Sequence, residues 1–235
     1  MIDQILPACV ASAWTTDEWI EQPLYVAESS AVGRAVDKRR REFVTGRACA
    51  RQALARLGVR PRSVPSGRRG EPVWPQGVVG SITHCRGYVA CAVASREILG
   101  AIGIDAEPHA ALGGELLREI VTPAENRLLT DLNAASPDVH WDRVWFSAKE
   151  AVYKAWFPLT LRWLGFHDVE LTVDRANGTF VGRLRVPAVC INGESISRFQ
   201  GRWLVRDGLA LTAVVVPQTS AHGLSGAQGP GGYWT

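Results

Sequence analysis

With 235 residues, 46% of them hydrophobic and 21% charged, the chain has the make-up of a globular protein with apolar material for one large domain or two small ones. Its 26 Lys+Arg against 23 Asp+Glu leave a net charge of +3, too little for a general polyanion-binding field, so a phosphate site needs local clustering. Five scattered cysteines (Cys9, Cys49, Cys85, Cys91, Cys190) without a C-x-x-C pair argue against a zinc or redox site and read as free thiols in a reducing cytosol; the longest clean apolar run, 209–216, is far short of the ~20 residues of a membrane span.

In chain order, the apolar stretch 5–13 reads as a first strand. Its Ala11-Ser12-Ala13 faintly resembles a cleavage site, but Asp3 precedes it and a basic flank is missing. A helix is predicted over 31–57, with Phe43, Ala50, Leu54 and Leu57 on one stripe among Lys38, Arg39, Arg40, Arg41, Arg47 and Arg51, and with Gly58 as its stop. The Pro-, Gly- and Arg-rich stretch 60–75 reads as a loop, followed by strands at 78–84, 88–94 and 101–105. Thr122-Pro123-Ala124-Glu125 combines an N-cap, an N1 proline and a capping-box glutamate, predicting a helix over 123–133; another is predicted over 141–157, ended by Pro158. Strands follow at 169–173, 179–184, 199–205 and 209–216, the last two joined by the hairpin signal Asp207-Gly208. This order predicts an α+β fold of two halves, 1–103 and 104–217, with 218–235 as a flexible Gly/Ser/Gln-rich tail.

Two segments carry the chemistry: Gly103-Ile104-Asp105-Ala106-Glu107-Pro108, and the helix stretch from Trp145 to Trp156 that contains Lys149, Glu150 and Lys154. In an extended chain Asp105 and Glu107 share a face, and two neighbouring carboxylates repel unless a cation sits between them. On the helix, Phe146, Glu150, Tyr153 and Phe157 form one stripe that carries Glu150 toward apolar surroundings. Taken alone, Glu150 and Lys154 are an ordinary i,i+4 pair worth ~0.3–0.5 kcal/mol. Packed against the Asp105 strand, the same helix would complete a hard-oxygen site of Asp105, Glu107 and Glu150 suited to Mg²⁺ and hence to a phosphate-bearing ligand. A hydrolase acting on coenzyme A or a nucleotide could use this set, and a nucleic-acid module could use the basic stretch 38–56.

Together the segments resemble the signature motifs of the 4′-phosphopantetheinyl transferase superfamily, a (V/I)-G-(I/V)-D-x-E stretch and a (F/W)-(S/C)-x-K-E-x-x-x-K-A helix, here Ile102 to Glu107 and Phe146 to Ala155. The chain length is similar to that of the long, surfactin-synthetase-activating type, and the sequence looks most like actinobacterial members up to about Val216. The resemblance implies a pseudo-dimer of two similar α+β halves with the active site at their interface, acting as a cytoplasmic monomer without nucleic acid or membrane. It implies transfer of the 4′-phosphopantetheine arm of coenzyme A to a serine of apo acyl, peptidyl or aryl carrier proteins of fatty acid, polyketide and nonribosomal peptide synthesis.

Residue by residue, the resemblance implies that Asp105, Glu107 and Glu150 hold Mg²⁺, for which Mn²⁺ can stand in, and that Glu150 is the general base, its pKa expected to be lowered by the metal and a lysine beside it. Lys154 assists at the leaving group, and Lys149 and Lys154 lie beside the pyrophosphate. Arg39, Arg47, Arg69, Thr83 and His84 match positions at the 3′-phosphate and adenosine end. Leu116, Leu117, Arg118, Val121 and Arg127 are candidates by position for the carrier-protein surface, and serve equally as one amphipathic helix packed on its own domain.

Overall fold

A computed structural model describes residues 1–218, apart from Glu18, Arg34, Asn192 and Gly193 and the side chains of Ile191 and Glu194; all of the expected tail except Gln218 lies outside the described residues. Two antiparallel sheets organise the chain. The smaller has the order β1-β3-β2, from β1 (Ala11–Thr15), β2 (Val78–Cys85) and β3 (Tyr88–Ser95); the larger has the order β4-β10-β9-β6-β5, from β4 (Leu99–Pro108), β5 (Val169–Asp174), β6 (Thr179–Leu184), β9 (Arg198–Arg206) and β10 (Leu209–Pro217). A short ribbon of β7 (Val189–Ile191) and β8 (Glu194–Ile196) and the helices α1 (Val26–Ser29), α2 (Asp37–Arg56), α3 (Gly114–Ile120), α4 (Pro123–Ala135) and α5 (Trp141–Thr160) complete the elements. All five cysteines are free, and among the described residues no helix is long and apolar enough to cross a membrane.

Strand alternation sorts the side chains into layers. Ile102, Ile104 and Ala106 of β4 meet Ala90, Ala92 and Ala94 of β3 and Leu209, Leu211, Ala213 and Val215 of β10 in a core shared by both sheets. The opposite face of the small sheet (Val89, Cys91, Val93) packs on Cys49, Ala50, Ala53 and Leu54 of α2. The opposite face of the large sheet (Ala101, Ala210, Val214) packs on Trp145, Ala148, Ala151, Val152 and Ala155 of α5. Asp105 and Glu107, odd-numbered like Ala101, are thereby aimed to the α5 side. Burying this apolar surface, at roughly 25 cal/mol per Å², is what holds each helix to its sheet.

The halves are joined where β2 runs beside β4 without a shared ladder. The Ser81 hydroxyl accepts the Ile104 N–H at 3.1 Å and the Thr83 hydroxyl accepts the Ala106 N–H at 3.1 Å, so two side chains satisfy backbone donors of the neighbouring strand. All of β4 belongs to the large sheet, so the expected boundary at 103 falls inside an element.

Several boundaries differ from the sequence reading for local reasons. The first strand begins at Ala11, because 2–5 form a 3-10 turn and Pro7 carries the next turn, its carbonyl accepting the Val10 N–H. The long helix starts at Asp37, whose carboxylate suits a helix N-terminus, rather than at 31; Gly33 and the extended N-cap Val36 separate it from α1 and a 3-10 turn over Ser30–Val32. At its other end Gly58, with φ +80°, follows the C-cap as expected. Pro158 lies within the last turn of α5, which continues to Thr160 and ends on Leu161 at φ 55°, with the Leu161 N–H on the Phe157 carbonyl. The capping box of α4 forms as expected, Thr122 and Glu125 exchanging bonds of 3.2 and 2.8 Å, an arrangement worth about 1 kcal/mol.

Candidate active site

The meeting of the two motifs depends on Gly103. A Cβ there would overlap the Ala151 carbonyl oxygen and come within 2.7 Å of the Ala155 nitrogen, so only glycine lets β4 lie this close to α5. That approach places Asp105, 4% exposed, beside Lys154: the ammonium donates to Asp105 Oδ1 at 2.7 Å, and the Thr83 hydroxyl donates to the same oxygen at 3.2 Å. Asp105 Oδ2 is buried with no hydrogen-bond partner among the described residues. A carboxylate oxygen left this way is costly unless a cation or donor meets it.

Glu107 turns one oxygen, Oε2, to Arg143 Nη1 at 3.1 Å. Burial and the neighbouring Asp105 charge raise its pKa to about 7, against the pull of Arg143 and Lys154. The Glu150 carboxyl is also raised, by burial first and Asp105 second, with Lys154 opposing. One lysine does not offset desolvation and a like charge together; the expected lowering depends on a divalent cation beside Glu150 as well as on Lys154. Among the described residues no three acidic, His or Cys groups are gathered as a ready-made metal cluster, since Asp105 and Glu107 each face a protein cation. The donor set still fits Mg²⁺: hard oxygens, an orphaned buried Oδ2, and mutual repulsion that a divalent cation would relieve.

Beside this cluster lies a cleft of about 220 Å³ between Arg69 to Pro72 and Trp74 of the long loop, Gly80 to Ile82 of β2, and Tyr153, Lys154, Phe157 and Pro158 of α5. Exposed Arg69 stands with its guanidinium carbon 5.9 Å from the Phe157 ring centre. The loop is anchored by buried Glu28, which accepts the Val64 N–H at 2.8 Å and pairs with Arg51 at 3.1 Å. On the α2 side of β2, Arg39 Nη1 lies 2.8 Å from His84 Nε2, and Glu42 stands 3.8 Å from each. Burial lowers the His84 pKa, with Glu42 opposing and Arg39 and Lys154 adding, so its imidazole is neutral at pH 7 and can accept from Arg39. Arg47 is 5% exposed, stacked 4.1 Å over Phe43, and donates to the Ser66 hydroxyl at 3.1 Å; burial pushes it down to about 10, where it remains a cation at neutral pH.

Two expected ligand contacts are not placed in the cleft. Lys149 Nζ is turned into the core, donating to Glu125 Oε2 and to the carbonyls of Ile120 and Phe166, each at 2.8 Å. A helix turns ~100° per residue, so Lys149 faces inward while adjacent Glu150 faces the Asp105 side. The Thr83 hydroxyl, 2% exposed, is occupied by Asp105, the Ala106 N–H and the Lys154 ammonium at 3.3 Å, and orients those groups. Sequence reasoning missed Arg143; its position two helical turns before Glu150, on the same face, was the available signal. It also read Glu125 only as a cap, although both its oxygens take further donors from Trp145, Lys149 and Leu171.

Residues 27–94 match the family model of the 4′-phosphopantetheinyl transferase N-terminal domain, and residues 101–208 that of the 4′-phosphopantetheinyl transferase superfamily. The chain is 44% identical over 234 residues to the 4′-phosphopantetheinyl transferase Svp of Streptomyces mobaraensis, covering 98% of this chain and 95% of that one. It is 46% identical over 222 residues to Npt of Nocardia iowensis (91% and 99%) and 43% identical over 225 residues to PptT of Mycobacterium tuberculosis (92% and 98%), both also 4′-phosphopantetheinyl transferases. The paired motifs, the two sheets that bring them together and this near full-length similarity place the chain in the 4′-phosphopantetheinyl transferase superfamily, among relatives of actinobacterial type.

Proposed function

We propose that the cleft beside Asp105 and Lys154 carries out the transfer of the 4′-phosphopantetheine group of coenzyme A to a serine hydroxyl of an apo acyl, peptidyl or aryl carrier protein, releasing 3′,5′-ADP. The observation that supports this most is the packing of Asp105, Glu150 and Lys154 at the β4–α5 contact, with Arg39 and His84 on the adjoining strand β2. Asp105, Glu107 and Glu150 would hold Mg²⁺, with Mn²⁺ able to replace it, and the ion when bound neutralises charge on the coenzyme A pyrophosphate. Glu150 takes the proton of the carrier serine as its oxygen bonds to the phosphorus bearing pantetheine and the bond to 3′,5′-ADP breaks. Lys154, tethered by Asp105 and Thr83, presents its ammonium to the charge that grows on the departing ADP.

Arg39 and His84 would meet the 3′-phosphate, with Arg69 above the cleft and Arg47 holding the loop that carries Arg69 through Ser66. One chain supplies both halves of this site, so the protein would act as a monomer, in the cytoplasm where coenzyme A and unmodified carriers meet. Leu116, 40% exposed on α3, with Arg118, would offer an apolar and basic contact to an acidic carrier. The test is intact-mass spectrometry of an apo carrier protein with coenzyme A and Mg²⁺. A gain of one phosphopantetheine mass, abolished by EDTA and by Glu150→Gln, is expected; full activity of Glu150→Gln would remove the general-base assignment.

A further inference from the structure

Glu107 sits near the end of β4, where the chain leaves the sheet for the loop 109–113 and α3. A half-buried carboxylate at a strand end, next to Asp105, has little of its own to hold its direction. The first turn of α5 supplies that hold. Arg143 Nη1 donates to Glu107 Oε2 at 3.1 Å, Nε to the Ala110 carbonyl at 3.0 Å and Nη2 to the Ala111 carbonyl at 3.4 Å. Its neighbour Asp142 accepts the Leu112 N–H at 2.7 Å, so two consecutive side chains of α5 bind three consecutive loop residues. The ion pair is largely enclosed, the side chains of Arg143 and Glu107 being 18% and 21% exposed. Seven residues, or two turns, separate Arg143 from Glu150, which puts both on one face of α5 about 10 Å apart along its axis.

We infer that Arg143 is a positioning residue: its guanidinium fork locks Glu107 through one oxygen and the 110–111 backbone through the others, setting the Glu107 carboxylate relative to Asp105 and Glu150. This rests on the metal assignment proposed above. A fork is needed because lysine offers a point charge that cannot hold a carboxylate and two carbonyls in fixed directions. Outer partners that orient a metal ligand are worth about 10–100-fold in metal affinity.

The test is Mn²⁺ binding, followed by loss of the free-ion EPR signal, in wild-type protein and in the Arg143→Ala, Arg143→Lys and Glu107→Gln variants, with the unfolding temperature of each. Binding about 10–100-fold weaker in both Arg143 variants, each still folded at the assay temperature, is expected. Unchanged affinity with a lowered unfolding temperature would reduce Arg143 to a loop staple and overturn the inference. Tighter binding in Arg143→Ala would show the guanidinium acting as a competing cation and also overturn it, as would retention of wild-type affinity by Arg143→Lys. Equal affinity of Glu107→Gln and wild type would refute the metal assignment itself, and the inference with it.

Discussion

Replacing Lys149 separates a core role from a ligand role most sharply. Lys149→Met keeps the stem but removes the ammonium from a site where Glu125 is 0% exposed and Lys149 3% exposed. Glu125 keeps the N–H groups of Thr122, Trp145 and Leu171 but loses its counter-charge, and the Ile120 and Phe166 carbonyls lose their donor. Breaking one side of a buried pair costs about 3–5 kcal/mol, from a total stability of about 5–15 kcal/mol for a protein of this kind. With an unfolding entropy of roughly 2.1 cal/mol/K per residue, or about 0.5 kcal/mol/K for 235 residues, the melting temperature should fall by about 6–10 °C. Adding Glu125→Gln removes the stranded charge and should recover part of the loss. The summed fluorescence of the nine tryptophans, among them Trp145 bonded to Glu125 at 3.0 Å, follows thermal or urea unfolding of the chain. At a temperature where the variant is folded, its KM for coenzyme A should match wild type. A wild-type melting temperature with a KM raised tenfold or more would refute the core role and put Lys149 at the pyrophosphate.

Gly103→Ala forces a methyl group against the Ala151 backbone, which no rotamer change relieves; it should cost at least about 3 kcal/mol in urea unfolding and lower the transfer rate by parting β4 from α5. Arg39→Ala removes a guanidinium that is 54% exposed, so the low end of a charge-assisted bond, about 1.5 kcal/mol, predicts roughly a tenfold rise in KM for coenzyme A. The same variant should leave the KM for 3′-dephospho-coenzyme A within about twofold of wild type, because the phosphate that Arg39 would meet is gone; equal rises for both substrates would move Arg39 away from the 3′-phosphate.

The sequence alone determined the elements whose cause is local. Alternation along 101–107 put Asp105 and Glu107 on one face, and the Thr122-Pro123-Ala124-Glu125 run marked the start of α4. Helix phase grouped Glu150 with Phe146 and Tyr153, but these three are only half-buried, the core face of α5 being Trp145, Ala148, Ala151 and Val152. The paired motifs pointed to phosphopantetheine transfer through their resemblance to the family's signature, whereas the residues by themselves left a hydrolase using the same carboxylates open. Tertiary structure decided which cation faces which anion. Lys149 and Lys154 are both lysines of one motif, yet one is buried on Glu125 and the other bonded to Asp105, since the rotation of α5 against the large sheet is set by core packing of Trp145, Ala148, Ala151 and Val152. Helix phase already put Arg143 on the Glu150 face, but its hold on Glu107 forms only when the loop after β4 folds back over the first turn of α5. The 3-10 turn before β1 and the delayed start of α2 have local causes instead, in the turn at Pro7 and in Gly33 with the extended N-cap Val36.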